Sequence, residues 1–75
     1  MNTTKHEQRC THVAALVYYM GEAFNLAYQE TRLAIRLSLS VLDKGNSAAT
    51  AYEAGAHAIR TIASTHSPAA NPQLD

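Results

Sequence analysis

The sequence predicts an all-α protein: an antiparallel helical hairpin with a long first helix, dimerising into a four-helix or coiled-coil-like bundle. Three observations predict it. Polar residues from Glu22 through Asn25, Gln29, Arg32, Arg36 and Ser40 to Asp43 recur at steps of three or four, which is the helical period. A proline-free stretch before Asp43-Lys44-Gly45-Asn46-Ser47 is separated by that punctuation from a second helical stretch. At 75 residues the chain is one domain, and a domain of that size buries a low fraction of its surface by itself.

The first helix is expected over about 7–42, after a loose lead-in over 1–6. Opposite its polar stripe, Val13, Val17, Met20, Phe24, Ala27, Thr31, Ala34, Ser38 and Val41 follow alternating steps of four and three. That is the spacing of a coiled-coil seam, with small residues in its second half that permit close approach. Gly21 lies inside this helix and costs roughly 1 kcal/mol relative to alanine there. A close crossing or a slight bend accounts for it; the sharper alternative is a break that splits the segment in two. Residues 33–41 also alternate apolar and polar with period two, the pattern of an amphipathic strand able to pair with its own copy. Helix is preferred, because the helical stripe spans more of the chain and Leu, Ala and Arg favour it.

The turn is expected over 43–47. Gly45 supplies a left-handed residue to end one helix, and Asn46 or Ser47 caps the next, with Thr50 and Glu53 as an alternative capping box. The second helix, about 48–65, turns Ala48, Ala51, Tyr52, Gly55, Ala56, Ile59, Ile62 and Ala63 inward and Glu53, His57, Arg60 and Ser64 outward. Ser67-Pro68 ends the domain at about residue 66 and leaves 67–75 as a flexible tail. A second helix of that length covers only half of the first. Val13, Leu16, Val17, Met20 and Phe24 are then an uncovered apolar stripe, which needs a second chain. These five residues are the expected homodimer interface.

Composition narrows the function. A hydrophobic content of 47% is too high for a disordered chain. Six basic and six acidic residues cancel, whereas a non-specific nucleic-acid binder carries an excess of Lys and Arg. The single cysteine, Cys10, forms no intrachain disulfide and suits a reducing compartment. The polar start lacks a signal-peptide core, and Glu22, Glu30, Arg32 and Arg36 interrupt every candidate membrane span. A cytoplasmic location with no membrane partner is expected.

Chemistry is sparse. His6 and Cys10 are four apart and share a helix face, and His12 adds a third zinc-type ligand. The spacing matches none of the structural zinc patterns, so no metal, cofactor or catalytic residue is assigned and the chain is not expected to be an enzyme. Glu53 and His57 read as a solvated pair one helical turn apart. Tyr18 falls on the polar register, where an aromatic side chain suits a partner contact, while Tyr19 and Tyr28 close the sides of a bundle. Arg32 and Arg36 share a face that Glu22, Glu30 and Asp43 dilute. The favoured function is a homodimeric regulator or inhibitor that occupies the surface of an unidentified protein through Tyr18, Glu22, Asn25, Arg32 and Arg36. A dimeric nucleic-acid-associated regulator using Arg32 and Arg36 is the alternative, and a small metal-binding protein or enzyme the next.

Overall fold

The computed structural model describes residues 3–66, which form three helices of similar length: α1 (Thr3–Ala23), α2 (Tyr28–Asp43) and α3 (Ala48–His66). The expected two-helix hairpin is thus corrected to a three-helix globule, and the all-α class stands. Residues 33–41 lie inside α2 as helix, so the strand alternative is set aside. The lead-in is helical from Thr3, and the expected tail over 67–75 lies outside the described residues.

The long helix ends at residues 24–27 for a local reason. Asn25 adopts a left-handed conformation, φ 61°, which asparagine tolerates better than most residues. Its amide donates to the Glu22 carbonyl at 2.9 Å, and the Leu26 amide donates to the Gly21 carbonyl at 3.0 Å. This pair of bonds is a Schellman motif that closes α1. A new helix starts at once: the Glu30 carboxylate accepts from the Ala27 amide at 3.0 Å, the reverse half of a capping box. Gly21 is therefore not the break. It sits buried in α1, where an added Cβ would come within 2.2 Å of Thr31 Oγ1, so glycine is what lets α1 and α2 approach.

The second turn follows the same logic. Gly45 is left-handed, φ 96°, and its amide donates to the Leu42 carbonyl at 3.0 Å. Asn46 Nδ2 donates to the Val41 carbonyl at 2.9 Å, which closes α2. Ser47 Oγ accepts from the Thr50 amide at 3.1 Å, which opens α3. So Asn46 serves the helix before the turn and Ser47 the helix after it.

The core is small-residue packing around a few aliphatic side chains. Val13 and Val17 from α1, Ala34 and Leu42 from α2, and Ala51 and Ile59 from α3 form one buried cluster. Thr31 and Ser38 are buried with them. Gly55 sits where all three helices meet: an added Cβ would lie 2.0 Å from Ser38 Oγ and 2.8 Å from Val17 Cγ2. Because α1 folds back along α2, Val13 and Val17 of the stripe expected to be bare are buried within the chain, whereas Leu16 and Phe24 stay exposed.

Candidate metal centre

The fold-back brings the start of α1 against the end of α2. His6 and Cys10 lie four residues apart on one face of α1, so their side chains stack along it. Asp43 is the last residue of α2. His6 Nε2 lies 3.1 Å from Asp43 Oδ1 and 3.6 Å from Cys10 Sγ. One donor atom from each of the three residues lies within 4.8 Å of the others. His6 and Asp43 are exposed and Cys10 is half-buried, so the group opens to solvent on one side.

Two chemistries use a cysteine, a histidine and an aspartate. A nucleophilic relay needs the thiol at one ring nitrogen and the carboxylate at the other, so that the acid orients the base. Here the thiol and the carboxylate both meet Nε2, and His6 cannot pass a proton between them. Convergence of three donor atoms on one point is the geometry of a coordination sphere. Tetrahedral zinc with bonds of about 2.3 Å to sulfur and 2.0–2.1 Å to nitrogen or oxygen separates S from N by about 3.5 Å and N from O by about 3.3 Å. The observed separations of 3.6 and 3.1 Å fit those edges.

Of the three zinc-type residues to which no metal was assigned, the structure joins His6 and Cys10 and adds Asp43, while His12 lies exposed on α1. Asp43 was missed as a ligand because it is 37 residues from His6. Its signal is that the two long-helix ends meet only if the segment folds in half.

The other expected site residues fall in four places. Val13 and Val17 are fully buried inside the chain, whereas Leu16 and Phe24 remain 40% and 42% exposed. Met20 is half-buried, its sulfur accepting from the Tyr52 hydroxyl at 3.4 Å. Tyr18 donates its hydroxyl to Glu22 Oε2 at 2.8 Å. That bond holds the Tyr18 pKa above its usual value, with the nearby Glu22 charge as the second cause. Asn25 serves as the α1 cap. Arg32 and Arg36 are exposed on α2, and neither makes an ion pair among the described residues.

At the far end of the bundle a second histidine meets a carboxylate: His66 Nε2 contacts Glu30 Oε2, tying the end of α3 to the start of α2. The His66 hydrogen bond, followed by that from the Ala27 amide, holds the Glu30 pKa below its ordinary value. Among the described residues no helix is long and apolar enough to cross a membrane.

The fold and this donor set define a small three-helix bundle with an N/S/O cluster clasping two helix ends. No protein-family model, curated protein or solved structure matches the chain.

Proposed function

We propose that this chain binds a zinc-class transition-metal ion through His6 Nε2, Cys10 Sγ and Asp43 Oδ1. The observation that carries the proposal is the convergence of these three donors, from two helices, within 4.8 Å of one another, with the His6–Asp43 and His6–Cys10 separations at tetrahedral edge distances. Imidazole, thiolate and carboxylate together suit zinc better than magnesium or calcium, which take oxygen. Three protein ligands leave a fourth position open, toward solvent. Ligation by the Cys10 thiolate belongs to a reducing compartment such as the cytoplasm. His6 and Cys10 act as ligands and not as base and nucleophile, so no catalysis is assigned.

Titration of the full chain with Co²⁺ tests the reading, since cobalt reports thiolate ligation and tetrahedral geometry in its visible spectrum. One equivalent binds with a thiolate-to-metal band and is displaced by Zn²⁺. C10S loses the band. D43N weakens binding by at least about tenfold, the lower bound for even outer-shell partners, and H57A, on the outer face of α3, changes nothing. Undiminished binding by a folded D43N variant would overturn the tertiary site and leave only a local His6–Cys10 pair.

A second reading has its own observation. Tyr19, Tyr28 and Leu33 are 64%, 65% and 61% exposed, and large aromatic and aliphatic side chains at a surface suit contact with another chain. This exposure supports a regulator that contacts another protein or a second copy of itself through the faces of α1 and α2.

A further inference from the structure

The last turns of α2 carry a second feature beside the donor cluster. A shallow cleft of about 400 Å³ is lined by Arg36, Leu39, Ser40, Asp43 and Lys44. Asp43 therefore belongs both to the cleft and to the metal-ligand cluster. The carboxylates that the sequence places around the arginines are engaged elsewhere. Glu22 accepts from Tyr18, Glu30 accepts from the Ala27 amide and meets His66, and Asp43 meets His6. Among the described residues Arg36 and Lys44 have no ion-pair partner. Three terminal carbonyls of α2, a helix end that disfavours an anion, already accept hydrogen bonds: those of Ser40 and Val41 from the Lys44 amide and that of Leu42 from the Gly45 amide.

We propose that this cleft binds the phosphate group of a small molecule, one phosphate oxygen taking the open position on the metal held by His6, Cys10 and Asp43. The inference rests on the metal-binding reading of that cluster. Arg36 offers a planar fork of donors matched to a phosphate, and Lys44 a second positive charge. Asp43 alone would repel the anion; a divalent ion shared by its carboxylate and the Cys10 thiolate cancels both negative charges and removes that repulsion. The coupling is reciprocal, so phosphate tightens metal binding by the factor that metal tightens phosphate binding. Half-buried Leu39 gives the cleft one apolar wall, suited to the organic part of a phosphate monoester. A polynucleotide is the weaker fit, because the chain carries no net charge and a nucleic-acid backbone demands an extended row of cations.

The test titrates the Co²⁺-loaded and metal-free full chain with inorganic phosphate and with phenyl phosphate, reading the visible spectrum and the heat of binding. Both ligands shift the cobalt bands, and both bind the loaded chain about tenfold or more tighter than the metal-free chain. The double variant R36Q/K44Q keeps its Co²⁺ affinity and its helicity but loses the phosphate response. Tighter binding of phenyl phosphate identifies a monoester as the ligand, and equal binding identifies free phosphate. Cobalt that binds with no phosphate response, or a response unchanged in R36Q/K44Q, overturns this inference and leaves the metal reading intact. Failure of the wild-type chain to take up Co²⁺ overturns both.

Discussion

Ser38 and Gly55 show how narrow the margins are where the three helices cross. Ser38 is fully buried, and its Oγ has no hydrogen-bond partner among the described residues. An unpaired buried hydroxyl costs about 1–3 kcal/mol. Across from it, Gly55 leaves the space that the hydroxyl fills. Replacing Gly55 by alanine forces a Cβ against Ser38 Oγ and Val17 Cγ2 and is expected to destabilise by about 1–3 kcal/mol. S38A, by contrast, is expected to be neutral or stabilising by about 1 kcal/mol, because it removes the unpaired oxygen. In the S38A background G55A costs less, with a coupling of about 1 kcal/mol. A denaturation cycle over the four proteins measures all three values, and strict additivity would contradict the packing described.

At the level of helices, what the sequence conceals is the turn at 24–27. The three-four periodicity runs through it without interruption, so Asn25 reads as one more polar residue of a stripe. Nothing in periodicity distinguishes a helical asparagine from a left-handed one, and the one glycine nearby, Gly21, draws attention to the wrong position. Seam residues Val13, Val17, Thr31, Ala34 and Ser38 are buried, yet they face one another within a chain instead of across two. The residue that could have revealed the break is Glu30, three positions after Ala27, since a helix start recruits a carboxylate there. The 43–47 turn was legible because Gly45 and Ser47 carry its geometry and its cap openly. Glu30 also makes a prediction about pH. Its folded-state pKa lies below the ordinary 4.5, so its bonds to Ala27 and His66 stabilise the fold above that pH. The contribution is lost as pH falls through the folded-state value. E30Q keeps an acceptor for the Ala27 amide but loses the charge. Its stability should fall below wild type at neutral pH and converge with it in acid, as thermal melts across a pH series will read; a constant difference would assign the contact no ionic part.

For the whole molecule, fold-back takes Val13 and Val17 out of the argument for dimerisation, because they find their partners within the chain. Exposed Leu16, Tyr19, Phe24, Tyr28 and Leu33 still support an association of lower area. Light scattering over a dilution series decides it: a dimer persisting at micromolar concentration supports the regulator reading, and a helical monomer throughout sets self-association aside. The candidate metal-ligand cluster was half legible. Two ligands one helical turn apart can be read from any sequence, whereas a third across a helix pair requires knowing that the pair exists.

Both inter-helix links, 24–27 and 44–47, are only a few residues long, so most packing forms between neighbours along the chain. Such topologies reach their transition state quickly. Contacts between distant parts of the chain include the packing of Val17 at Gly55, the Tyr52–Met20 bond and the two clasps, His6–Asp43 and His66–Glu30, whose partners are 37 and 36 residues apart. As side-chain contacts at helix ends, the clasps are expected to close after the helices they join have formed. Interactions absent from the transition state leave the folding rate untouched and slow unfolding instead. An ion seated between His6, Cys10 and Asp43 would therefore work as a lock on a bundle already assembled, lengthening its lifetime without hastening its formation.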